Sequence, residues 1–150
     1  MPSESLLNSL IESLSVLPGL GKKSAQRMAY HLLENNRQGG IQLSEDLQRA
    51  MTSIGNCSRC RDYTEAEQCQ ICRSDRRDDA MLCVVESPSD VMAIESTASF
   101  NGRYFVLLGQ LSPLDGIGPN EIGMPALQER LSEGDITEVL VATSSTIEGE

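Results

Sequence analysis

The chain has 150 residues, with 12 basic and 22 acidic side chains and a formal net charge of −10. That length suits one medium domain or two or three small ones. The absence of a transmembrane-length apolar run and of a targeting segment argues against a membrane or secreted protein and for a cytosolic one. The acidity is uneven: residues 1–55 carry five basic and five acidic groups, residues 56–79 carry five and six, and residues 80–150 carry two and eleven. A nucleic-acid contact therefore belongs in the first half of the chain. The acidic last segment suits a basic protein partner or a divalent cation, or serves solubility alone.

In chain order, Leu6, Leu7, Leu10, Ile11, Leu14 and Leu17 recur at helical spacing, with Ser3 as a candidate cap and Pro18-Gly19 as the stop. A second helix is expected from Lys22 to Glu34, with Ala25, Met28, Ala29, Leu32 and Leu33 on its apolar face and Gly39-Gly40 as its breaker. A third should start at Ser44, bury Leu47, Ala50, Met51 and Ile54, and close at Gly55. Between the first two helices lies Leu17-Pro-Gly-Leu-Gly-Lys-Lys-Ser-Ala25. Gly19 and Gly21 allow a sharp turn, and the free N–H groups opening the next helix can hold an oxyanion such as a DNA phosphate. Lys22, Lys23 and Arg27 follow on the first turns. The segment resembles a helix-hairpin-helix, which grips the DNA backbone without reading bases. An ordinary helix–helix turn with solvated lysines is the alternative.

Next come Cys57-Ser-Arg-Cys60 and Cys69-Gln-Ile-Cys72, a C-x2-C-x8-C-x2-C pattern. Two such turns can supply four sulfurs to one tetrahedral zinc. The eight residues between the pairs hold three acids, one Tyr and no aliphatic run, so the loop cannot build a core. Two disulfides are the other possibility, disfavoured without a signal peptide and with an odd fifth cysteine. Four bound sulfurs leave zinc no open position, so the metal holds shape. Cys83, within Met81-Leu-Cys-Val-Val85, reads as a buried small hydrophobe.

From residue 80 the pattern changes to strands alternating with helices: Met81–Val85, a helix from Ser87-Pro88 through Glu95, Arg103–Leu108, a loop from Gly109 to Gly123, a helix over Ala126–Leu131 and a strand over Glu138–Ala142. That alternation predicts a parallel sheet. Glu86 stands at the end of the first strand and Asp90 in the first turn of the following helix, where α/β sheets hold ligands; both could instead serve as helix caps. Ala142-Thr-Ser-Ser-Thr-Ile-Glu148-Gly-Glu150 repeats the theme at a later strand end. These pieces resemble the Toprim fold of topoisomerases, primases and some nucleases, in which a first acid works as an acid/base and a later Asp-x-Asp pair holds magnesium. The positions of that pair are Ser144 and Thr146 here. Neutral hydroxyls do not hold a divalent cation against water as paired carboxylates do. The expectation is a non-enzyme, with a magnesium-dependent nuclease or topoisomerase-like enzyme as the alternative.

The order of parts resembles the RecR family of recombination mediators along the whole chain. Lys23-Ser-Ala-Gln-Arg27 fits its DNA-binding hairpin, Cys57, Cys60, Cys69 and Cys72 its zinc ligands, and Phe105 to Pro119 its signature loop. Glu86, Asp90, Glu148 and Glu150 fall where the family's Toprim acids face the partner RecO. Ser144-Ser145 replaces a more usual Asn-Pro. The resemblance implies an α+β multidomain chain: a helical helix-hairpin-helix domain over 1–55, a four-cysteine zinc element over 56–79, and a Toprim domain with a parallel sheet over 80–150. That domain is expected to be incomplete, since the family's C-terminal region, with a Walker-B-like motif and a subunit-exchanging arm, has no counterpart here. It further implies one structural zinc per chain and a bacterial, nucleoid-associated location. A dimer or tetrameric ring on DNA is expected at full length, with RecO and RecF as partners in loading RecA onto gapped, SSB-coated DNA.

Overall fold

The computed structural model describes residues 5–109, 116 and 118–143. The chain divides into two compact units, Met1–Thr52 and Ser53–Glu150. The first is helical. Helix α1 (Leu6–Leu14) is capped by Ser5, whose hydroxyl accepts from the Asn8 N–H at 3.2 Å; the expected cap Ser3 lies outside the described residues. Helix α2 (Lys22–Asn35) packs on α1. Ala25 and Ala29 are fully buried on its inner face.

The third helix departs from expectation. Gly39-Gly40 does not break the chain, because α3 runs from Arg37 to Ser53 and includes both glycines. The break is Asn36, at φ −156° and ψ 62°. Its side-chain oxygen accepts from the Gly39 N–H at 2.9 Å, the reach of an N-cap side chain. That bond secures a start at which glycine's entropy cost would otherwise matter. Ser44 is therefore interior, its hydroxyl turned back onto the Ile41 carbonyl at 2.7 Å. The burial expected of Leu47, Met51 and Ile54 is also corrected: they are 50%, 76% and 45% exposed. Periodicity marks an apolar face, but only another surface can cover it.

The second unit opens with a short antiparallel pair, β1 (Gly55–Asn56) and β2 (Tyr63–Thr64), and a one-turn helix α4 (Gln70–Arg73). The third helix thus stops at Ser53, just before the expected Gly55, which opens β1. A three-stranded sheet follows, in the order β4-β3-β5, from β3 (Met81–Val85), β4 (Arg103–Val106) and β5 (Glu138–Ala142). Both neighbours run parallel to β3, as alternation with helices requires. Helices α5 (Pro88–Ser96), α6 (Pro119–Ile122) and α7 (Met124–Ser132) connect and cover the strands. The expected loop from Gly109 to Gly123 therefore holds a helical turn, and β4 stops two residues short of Leu108.

The central strand is buried on both faces, which its continuous apolar run anticipates. Leu82 and Val84 pack with Phe105, Leu107, Ile122 and Leu127 on one side. Cys83 and Val85 pack with Val91, Tyr104 and Val106 on the other. Strand β5 differs: Val139, Leu140 and Val141 are 43%, 41% and 67% exposed.

Candidate functional site

The four cysteines meet. Cys57, Cys60, Cys69 and Cys72 are all buried, and their sulfurs lie within 4.8 Å of one another. The Cys60 and Cys69 sulfurs are 3.5 Å apart. That spacing excludes a bond between them, since a disulfide needs about 2.05 Å. It approaches the ~3.8 Å edge of a tetrahedron with Zn–S bonds of about 2.3 Å. Backbone N–H groups of Cys69, Asp62 and Cys72 point at the sulfurs of Cys57, Cys60 and Cys69 at 3.2, 3.4 and 3.4 Å. Such donors favour thiolates. The Cys72 thiol is held below the usual thiol range, chiefly by its hydrogen bond with Cys60, while that bond and burial push Cys60 up. Four buried sulfurs within 4.8 Å of one another, three of them receiving N–H donors, fit a metal ion.

The local turns explain the convergence. Arg61, after the first pair, sits at φ 73°, the left-handed region that costs a side-chain-bearing residue about 1–2 kcal/mol. This curl lets the Cys57 N–H reach the Asp62 carbonyl at 2.7 Å. Cys69 stands at the N-cap of α4, which carries Cys72 one turn on.

Three arginines that the motifs did not single out fasten this cluster to the sheet. Arg103 of β4 donates to the carbonyls of Ile71, Cys72 and Ser74 at 2.7, 2.8 and 2.9 Å, and pairs with Asp79. Arg130 of α7 donates to the Arg59 carbonyl at 2.8 Å. Arg61 donates to the Ile122 carbonyl at 2.8 Å, its guanidinium 5.6 Å from the Phe105 ring centre. The Val106 N–H adds a backbone bond to the Cys60 carbonyl at 2.8 Å. In sequence these arginines look like ordinary surface charges, and only the fold brings them to the loop. Arg77, Glu95 and Tyr104 form a further network: Arg77 pairs with Glu95, which accepts from the Tyr104 hydroxyl at 2.6 Å.

In the helical unit, Gly19 takes φ 82°, and Gly21 is the N-cap of α2 with no side chain to satisfy the helix's first N–H groups. Lys22, Lys23 and Arg27 are exposed. The geometry presents unsatisfied N–H groups and three cations at one helix start.

In the sheet unit, Glu86 directly follows β3 and is half-buried. The Asp90 carboxylate accepts from the Ser87 N–H at 3.1 Å, so it caps α5. Val85 pairs with Ala142, which sets the carboxyl ends of β3 and β5 side by side. Glu148, Glu150, Ser144 and Thr146 lie outside the described residues.

Comparison with known proteins fits this division. Residues 7–51 match the RecR helix-hairpin-helix, and residues 80–150 match a Toprim domain. The four-cysteine cluster falls between the two matches. A RecR helix-hairpin-helix, a cluster of cysteines arranged to hold a metal ion and a Toprim domain, in that order, match the RecR architecture, which supports a role in recombinational DNA repair.

Proposed function

We propose that the chain is a non-enzymatic, DNA-binding recombination mediator that works with RecO and RecF to load RecA onto gapped, SSB-coated DNA. The observation that supports this is the hairpin: Gly19 is left-handed, Gly21 is an N-cap without a side chain, and Lys22, Lys23 and Arg27 follow as exposed cations on the first two turns of α2. Such a start binds a phosphate by dipole and charge and reads no base. Cys57, Cys60, Cys69 and Cys72 hold one zinc, which keeps the loop folded and takes no part in chemistry. The proposed domain limits are 1–55, 56–79 and 80–150.

Glu86 and Asp90, with Glu148 and Glu150, form the proposed docking face for RecO. Residues 80–150 carry two basic and eleven acidic groups, a net of −9, which suits a basic partner surface. Neutral Ser144 and Thr146 supply no carboxylate pair for magnesium. The test is titration of RecO against Glu86→Ala and Asp90→Ala variants. Each should weaken the complex by about 2–5 kcal/mol where the contact is buried, and leave zinc content and bare-DNA binding unchanged. Asp90→Asn separates docking charge from helix capping, because the amide oxygen can still accept from Ser87 N–H. Unchanged RecO affinity refutes the docking role. Magnesium-dependent nicking of DNA that Glu86→Ala abolishes would establish the enzyme reading instead.

A further inference from the structure

We infer that Arg130 is the counter-charge of the zinc–tetrathiolate cluster, delivered to it by helix α7. The inference rests on the four cysteines holding zinc.

Zinc with four thiolates carries a net charge of −2. Here the sulfur ligands are only 1–9% exposed, so water does little to screen that charge. A buried dianion of this kind is costly unless a cation lies beside it. Among the described residues two charged side chains are buried, Arg103 and Arg130. Arg103 already has a carboxylate, Asp79. Arg130 has none: it is 5% exposed, and among the described residues no carboxylate oxygen lies within 4.0 Å of it. The nearby Glu133 is engaged by Arg59 at 3.1 Å. Arg130 donates through one terminal nitrogen to the Arg59 and Tyr104 carbonyls, at 2.8 and 3.4 Å, and its Nε has no acceptor. Two neutral carbonyls do not repay the burial of a guanidinium.

The position of Arg130 explains what does. The Arg59 carbonyl belongs to the peptide bond that leads into Cys60, so the guanidinium is anchored on the first metal-binding turn. Two buried groups, each expensive alone, become mutually compensating once the metal is bound. A residue 58 positions beyond Cys72, by subtraction of 72 from 130, thereby makes zinc retention depend on how α7 is seated.

The test uses the full chain loaded with zinc. Metal content is measured first, then the rate of zinc release to a chromophoric chelator. Arg130→Gln should release zinc about 10–100-fold faster, the usual span for loss of an outer-shell partner. Arg130→Lys, which keeps the charge, should stay within a few-fold of the parent. A second variant covers the case in which Arg130→Gln fails to fold. Ala126 is exposed and one turn before Arg130 on α7, so Ala126→Glu adds a helix-stabilising i,i+4 pair. It also offers Arg130 a rival anion, so zinc release should quicken several-fold although the helix is strengthened. Equal release rates in Arg130→Gln and the parent overturn the inference. So does a Lys variant as leaky as the Gln variant, or a loss of melting temperature that is the same with and without zinc. A purified, reduced parent that holds no zinc overturns the metal reading and this inference together.

Discussion

Single residues carry most of the chemistry here. Lys23 and Arg27 act as point charges on a helix start, so each should contribute to DNA binding without regard to sequence. Lys23→Ala and Arg27→Ala should each flatten the dependence of log K on log salt by about one unit; binding isotherms at several salt concentrations on two unrelated DNA sequences check this. A base-specific loss would contradict a backbone grip. Glu95 is a structural acid. Its hydrogen bond from Arg77 holds its carboxyl below the ordinary 4.5, with a smaller pull from Tyr104. A depressed carboxylate adds stability that is complete above the ordinary value and is lost as pH falls through the lowered one. Glu95→Gln should therefore cost about 1–2 kcal/mol at neutral pH, discounted for partial exposure. The gap between parent and variant should close on acidification below pH 4.5, as urea melts at several pH values would report.

At the scale of elements, the four-cysteine loop and strand β4 are one mechanical piece. The Val106 N–H ends on the Cys60 carbonyl, and Arg103 holds three carbonyls of the segment from Ile71 to Ser74. Metal binding supplies much of the folding free energy of such a loop. Removing zinc should release the whole stretch from Cys57 to Cys72 and also free the Val106 amide, while Leu82 to Val85 in the central strand stay protected. Hydrogen exchange with and without a chelator measures this, and a Cys69→Ser variant should mimic the chelated state. A Val106 amide that keeps its protection after zinc removal would show that β4 does not depend on the cluster.

For the whole molecule, charge sets the problem. A chain of net charge −10 gains little from one hairpin on polyanionic DNA. Several hairpins on one assembly would convert later contacts into intramolecular ones, raising avidity by roughly 10²–10⁴. Binding should therefore rise steeply with DNA length and with protein concentration, and the native mass should increase on DNA. Equal affinity for a duplex spanning one hairpin and for a long one, at constant mass, would mean that each chain grips DNA alone. Among the described residues no helix is long and apolar enough to cross a membrane.

Local chemistry was legible from the residues themselves. Cysteine spacing announced the four-cysteine cluster, because a Cys-x-x-Cys turn converges by its own geometry. The run Met81–Val85 announced a strand buried on both faces, and Gly19, at φ 82°, marked a turn that no bulkier residue makes cheaply. The failures have a common physical cause. Gly39-Gly40 looked like a breaker because glycine's entropy cost is local, yet the Asn36 cap bond secured the start of α3. Leu47 and Met51 looked like core because spacing reveals a face and not its cover. Arg61, Arg103 and Arg130 were not singled out, since a lone arginine carries no sign of the carbonyl it will meet. Those partners are separated from them by 26 to 71 residues, and only the parallel sheet with α7 beside it brings them together.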